Sequence, residues 1–259
     1  MRRSRSAPEL LVVCDRRNAE AKALAKRFAE FASETPNLVV VLGGDGTMLH
    51  AIRRHWRRRL PFLGINLGHR GFLLNDVKDM LLPSFLKQKF VVRTSPLLEV
   101  EATLPNGKRR RTFAFNDAYA QAEIGKTGWF ELSVDGEVRV PRLVGDGVLV
   151  ATAAGSTAYA RSMGVNPVPV GTDLIIVVGS NIVEPLSWRN GANLPIDSMV
   201  EFRSRDGSGW RRVYGFTDGV GLGEVVGMKV RASRTAAVKL LFTPDHDLRK
   251  KLAAIQFPS

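Results

Sequence analysis

The sequence predicts an α/β plus β protein, with a parallel α/β domain first and a mainly β domain after it. Over roughly the first 65 residues, short apolar runs alternate with segments of helical periodicity. From about residue 95 the apolar period changes to two, and glycine-containing hairpin turns appear. The bulk numbers agree: 259 residues with 44% hydrophobic and 24% charged content suit one large globular domain or two modest ones.

Taken in order, "ELLVVC" (9–14) is a buried strand closed by Cys14, the single cysteine, which rules out an intrachain disulfide and reads as a buried structural thiol. Ala21, Leu24, Ala25, Phe28 and Phe31 then recur at helical spacing until Pro36 and Asn37 end the segment. "LVVVL" (38–42) is continuous and β-branched, as a strand covered on both faces should be. Leu49, Ile52 and Trp56 mark one face of the next helix, and "PFLGI" (61–65) is a third strand. This β-α-β-α-β order predicts a parallel sheet with right-handed crossovers.

In "LLEVEATL" (97–104), Leu98, Val100, Ala102 and Leu104 alternate with Glu99, Glu101 and Thr103. "PNG" (105–107) and "VDG" (134–136) are hairpin signals, and further strands are expected at 129–134, 143–151, 173–178, 199–204, 211–216 and 236–242. Leu248, Leu252 and Ile255 give the C-terminal tail one amphipathic helix. The expected organisation is an α/β domain over 1–94, a β domain over 95–242, and a helical tail over 243–259 that packs back on the first domain.

No apolar run approaches the ~20 residues of a membrane helix. The start, "MRRSRSAPELLVVC", is basic, but its apolar run is too short for a secretory signal. A soluble, cytoplasmic protein without a membrane partner is expected. The net charge is +13, with basic runs at "RRHWRRR" (53–59) and "KRRR" (108–111). Aromatics make up only 8%, the basic residues are scattered, and neither a zinc-finger spacing nor an RNA-recognition signature is present. These features argue against nucleic acid and are compatible with a polyanionic small substrate. Four histidines without ligand spacing give no metal-binding residues to name.

The stretch "VVVLGGDGTML" (39–49) carries the chemistry. Ligands of parallel sheets bind beyond the C-terminal strand ends, where Gly43 to Thr47 fall. The glycines let a backbone approach a ligand, and the N-terminus of the following helix offers unpaired N–H groups suited to phosphate. Asp45 within them is ionised at neutral pH by its ordinary pKa of ~3.9. The loop is built to bring a carboxylate and a phosphate chain together. A dinucleotide fingerprint fails, because Leu49 stands where its last glycine belongs. "IGKTG" (124–128) fails as a P-loop, because its leading glycine would fall on Ala120.

Together, "LGGDGTML", "GINLGHRGFL", "FND" (115–117) and "DG…AGSTAYARS" (146–162) resemble the NAD kinase family, in that order and at comparable separations. The resemblance covers roughly residues 9 to 242. It implies a Rossmann-like parallel α/β domain and a mainly β, sandwich-like domain with the site between them. The implied activity is transfer of a phosphoryl group from ATP or polyphosphate to the 2′-hydroxyl of NAD, with Mg²⁺ or another divalent metal. It makes Asp45 the base and gives Gly43, Gly44, Gly46 and Thr47 to phosphate. Asp45, Gly46, Phe72, Asn116, Asp117, Asp146, Thr157, Ala158, Tyr159 and Ser162 would contact NAD, partly across a subunit interface. A homodimer or homotetramer that binds small-molecule nucleotides is implied.

The chain departs from the family pattern on the acceptor side. Asp117 stands where Glu is usual, Ala154 replaces a polar residue, Val144 a basic one, and Val220 a frequent Gln. The alternative readings are a GGDGT-type kinase acting on a different acceptor, another nucleotide or a lipid, and a non-catalytic dinucleotide-binding sensor.

Overall fold

The computed structural model describes residues 8–68, 71–77, 82–188, 190–206 and 209–257. The chain divides into two compact units, Met1–Thr94 with Ala237–Ile255, and Ser95–Ala236 with Gln256–Ser259.

The first unit opens with strand β1 (Leu10–Cys14) and helix α1 (Ala19–Phe28), followed by β2 (Leu38–Gly43), α2 (Asp45–His55), β3 (Phe62–Asn66) and α3 (Leu82–Lys87). Asn18 caps α1 by accepting from the Ala21 N–H at 3.1 Å, and Lys26 and Arg27 complement the dipole in its last turn. Arg53 and Arg54 do the same for α2, which passes into a 3₁₀ turn (Trp56–Arg58) closed by Arg59 at a left-handed φ of 56°. Strands β1, β2 and β3 pair in parallel in that order. The third strand covers 62–66, one position later than its apolar run suggests, because the Asn66 N–H donates to Asn75 O and extends the pairing. Phe31 lies in a 3₁₀ turn after α1 instead of the helix itself. Cys14 is half-buried, not enclosed, since it sits at the strand end where the cover thins.

The second unit carries most of the strands. They are β4 (Val91–Thr103), β5 (Arg109–Ala114), β6 (Asp117–Ala122), β7 (Gly128–Val134), β8 (Glu137–Gly145) and β9 (Gly147–Thr152). After the short helix α4 (Tyr159–Ser162) come β10 (Leu174–Ser180), β11 (Ala192–Pro195), β12 (Met199–Ser204), β13 (Val213–Thr217), β14 (Val220–Glu224), β15 (Gly227–Phe242) and the helix α5 (Leu248–Gln256). The β7–β8 hairpin turns on Asp135 and Gly136, both at positive φ, as its two-residue turn demands. One sheet of this unit places β15 between β4 and β12, with β5 beyond β4 and β7 then β8 beyond β12; the other runs β11-β10-β9-β6-β13-β14. Phe130, Leu132 and Phe202 from the first sheet and Ala118, Val150 and Ile175 from the second fill one core. That is a β-sandwich.

The segment 143–151, expected as a single strand, is broken at Asp146. Its N–H donates to Ser180 O at 2.9 Å and its carbonyl accepts from Ala122 N at 2.8 Å, so the chain leaves one sheet and enters the other. Gly145 and Gly147 make this possible, because a Cβ on either would lie 2.9 Å and 2.4 Å from the carbonyls of Ser180 and Ala120. The strand expected at 236–242 begins nine residues earlier, at Gly227.

The end of β15 belongs to the first unit, where Leu240 and Leu241 pair in parallel with Phe62 and Leu63. Asn75 secures this join and is fully buried. Its amide donates to Gly64 O and Leu241 O, each at 2.9 Å, and its Oδ1 accepts from the Thr243 N–H at 2.8 Å. Asn75→Ala should cost roughly 2–5 kcal/mol, because it leaves Leu241 O and Thr243 N–H without this partner in a dry environment. A urea denaturation midpoint unchanged from the parent protein would refute that role.

Candidate functional site

In the first unit, Gly43 ends β2 and Gly44 precedes α2. Gly43 is packed, since a Cβ there would lie 2.6 Å from Thr47 Oγ1. Gly44 and Gly46 differ: a Cβ on either would meet nothing within 4 Å. Their backbones therefore border open space at a helix N-terminus that no side chain caps among the described residues. An adjoining cleft of about 750 Å³ is lined by Gly46, Thr47 and His50 and by the cations Arg16, Arg17 and Arg54.

Asp45 is the first residue of α2, and its carboxylate is held from both sides. Oδ2 accepts from the Phe72 N–H at 3.1 Å and Oδ1 from the Leu73 N–H at 2.9 Å. Burial raises its pKa above the ordinary carboxylate value, and the two N–H bonds and Lys251 offset only part of that. Phe72 is buried, 8% exposed as a residue, and it reaches Asp45 through its backbone.

In the second unit, Asn116 and Asp117 lie at the start of β6, beneath the loop that bears Gly155. The Asp218 carboxylate accepts from three consecutive N–H groups, those of Phe115 and Asn116 at 2.8 Å each and of Asp117 at 3.3 Å. Asp218 itself sits at φ 47° and donates its own N–H to Asp117 O. Thr152 Oγ1 donates to Phe115 O at 2.7 Å and accepts from the Gly155 N–H at 3.2 Å. Gly155 must be glycine here, since a Cβ would fall 2.1 Å from Asn116 O.

This packing leaves Asn116 Oδ1 buried without a hydrogen-bond partner among the described residues. Asp117 is 4% exposed; burial, and then the Asp218 charge, push it up to about 7. Tyr119 lies two residues along the strand, stacked on Phe216 at 4.8 Å and edge-on to Tyr159 at 5.1 Å. Asn116, Asp117 and Tyr159 are thus placed around one aromatic and acidic cluster. Thr157 Oγ1 and Ser162 Oγ donate to the Ala154 and Tyr159 carbonyls, and Ala158 links the 3₁₀ turn (Ala154–Thr157) to α4.

Asp146 is not part of that cluster. It precedes β9, at the opposite end from Thr152, and accepts from Asn181 Nδ2 at 2.6 Å. Val144 and Ala154 are buried and Val220 is 39% exposed, so these three positions offer only aliphatic surface. Sequence reasoning missed Asp218, Tyr119, Phe216 and Lys251. The Asp-Gly turn at 218–219 was a usable signal for the first; nothing local marks Lys251 among the other charges of its helix.

Residues 3–79 match the model of the ATP-NAD kinase N-terminal domain. The fold is similar to that of the yeast NADH kinase crystallised with NADH, with a TM-score of 0.80 and 18% identity over 97% of this chain and 88% of that one. It is also similar to that of an NAD kinase from Archaeoglobus fulgidus crystallised with ATP, with a TM-score of 0.74 and 20% identity over 94% and 98%. The NAD kinase of Xanthomonas oryzae pv. oryzae is 32% identical, covering 90% of each chain. The NAD kinase of Rhizorhabdus wittichii is 38% identical over 86% of this chain and 87% of its own. Identity at that level, sustained across both units, places the chain in the NAD kinase family: it belongs there by sequence as well as by fold.

Proposed function

We propose that the protein transfers the terminal phosphoryl group of ATP, or of polyphosphate, to the 2′-hydroxyl of NAD, forming NADP. The observation that carries this reading is the Asp45 carboxylate, fixed by two backbone N–H groups beside the open backbone of Gly44 and Gly46. Each of its oxygens receives one of these bonds and keeps a lone pair for a substrate hydroxyl. The hydroxyl oxygen attacks the terminal phosphorus, the bond to the leaving phosphate breaks, and the hydroxyl proton passes to Asp45. The transition state is loose, so positioning and charge stabilisation supply most of the catalysis and a weak base suffices. The raised pKa of Asp45 makes it a better base than an exposed carboxylate.

The cationic cleft around Arg16, Arg17 and Arg54 suits the phosphate chain of the donor. Among the described residues no three His, Cys, Asp or Glu side chains converge as a metal cage. The open loop instead leaves room for Mg²⁺ that arrives on the donor phosphates as part of the substrate, carried by phosphate oxygens. The ion would neutralise phosphate charge and leave Asp45 to the substrate hydroxyl. In the second unit, Asn116 Oδ1 is, among the described residues, an unmet acceptor for an amino or hydroxyl donor of the dinucleotide; Asp117, Thr157, Ala158, Tyr159 and Ser162 would contribute the rest of that contact.

Asp45→Asn should lower kcat by ~10²–10⁴ and leave dinucleotide affinity within a few-fold, the pattern of a lost base. A fully active Asn variant, with products resolved by mass, would overturn the assignment.

A second expectation concerns pH. Asp117 binds its proton more tightly folded, at about 7, than at its ordinary 3.8. Its contribution is fully present below about pH 4 and is lost as pH rises towards 7. Asp117→Asn should therefore be more stable than the parent at pH 8, by roughly 2–4 kcal/mol, with the difference vanishing near pH 4. Denaturant titrations of both proteins at pH 4, 6 and 8 decide it, and a pH-independent difference would contradict the burial argument.

The same reading gives a cytoplasmic homodimer or homotetramer. Asp146 lies a strand's length from Asp117 within one chain, which supports its serving the dinucleotide pocket of a neighbouring copy. Light scattering should then show an oligomer; a fully active monomer would refute it.

A further inference from the structure

We propose that Lys251, on the C-terminal helix α5, is a positioning residue that aims the Asp45 carboxylate through the segment 71–76. This rests on the reading of Asp45 as the base. The Lys251 side chain is only 15% exposed, so its ammonium needs partners for all three of its donors. It finds them in one segment: it donates to Gly71 O, to Leu74 O at 2.8 Å, and to the Asp76 carboxylate at 3.0 Å.

The two carbonyls are not arbitrary. Gly71 C=O shares a peptide group with the Phe72 N–H, and that N–H bonds Asp45 Oδ2. Leu74 C=O shares one with the Asn75 N–H, which donates to Gly64 O at 2.9 Å on β3. A cation on a carbonyl oxygen polarises the peptide and strengthens the bond its N–H makes, so Lys251 acts on Asp45 Oδ2 through one peptide unit. The same ammonium anchors the far end of the segment, where Asp76 also accepts from Asn66 Nδ2 at 2.6 Å. The stretch bearing the Phe72 and Leu73 N–H groups is therefore clamped on both sides by one side chain.

Among the described residues, the charges that act on Asp45 are Lys251, which favours its ionised form, and Asp76, which opposes it. Burial would raise Asp76, but the bonds from Asn66 and Lys251 hold it below the ordinary range. His246, flanked by Asp245 and Asp247, is pushed down to about 4 by burial and by Lys251, and so is uncharged near neutrality. Among the described residues, Lys251 is thus the cation that bonds this acidic segment.

Lys251→Met should lower kcat roughly tenfold and leave KM for ATP and NAD within about twofold. The acid limb of its kcat–pH profile should move to higher pH, because Asp45 loses both the cation and a strengthened N–H bond. Lys251→Arg should restore part of both effects. Lys251→Gln keeps a neutral donor and a comparable length, and supplies the same pH readout if the Met variant fails to fold by circular dichroism. In the Asp45→Asn background, Lys251→Met should add no further loss. A parent-like pH profile in the Met or Gln variant, or losses that multiply in the double variant, would overturn the proposal. Full activity of Asp45→Asn alone would instead remove the base reading on which it rests.

Discussion

The bonds from the Phe72 and Leu73 N–H groups to Asp45 set the course of the first unit around its glycine loop. A carboxylate at the start of α2 would ordinarily point to solvent and complement the helix dipole. Here it points at a neighbouring segment, and everything that fixes that segment also fixes Asp45. Gly71 has no side chain because a Cβ there would lie 2.6 Å from the Asn66 amide. Asn75 then joins the segment to Leu241 and Thr243, and Lys251 joins it to α5. Residues from the two ends of the chain thereby position one acid.

The second unit uses the same device for a different end. Asp218 receives three successive N–H groups and so shapes the turn at Phe115 to Asp117, much as Asp45 shapes the turn at Phe72. The consequence falls on the neighbour: Asp117 gains no comparable relief among the described bonds, and it is the carboxylate pushed to about 7. Burial raises Asp45 as well, but its two N–H bonds and Lys251 offset part of that and keep it a usable acceptor.

Much of the fold was legible because its causes are local. The wholly buried run of β2 and the two-residue turn at Asp135 and Gly136 are written in adjacent residues. The break at Asp146 was not, because Gly145-Asp146-Gly147 within the otherwise apolar 143–151 does not say that the strand changes sheets, and only the carbonyls of Ser180 and Ala120 show why two glycines flank an acid there. Cys14 was read too deep for a related reason: an apolar run does not say how much of its last residue the fold covers.

The sequence by itself determined the element types, the glycine loop with its single acid, and the family, since each rests on residue identity and short spacing. Tertiary structure alone decided the partners of the acids. Thr243 and Asn75 are 168 positions apart, and Lys251 and Gly71 are 180 apart. A hydrogen bond is directional and reaches about 3 Å, so which backbone groups meet a carboxylate depends on the folded path between them. No local pattern records that path.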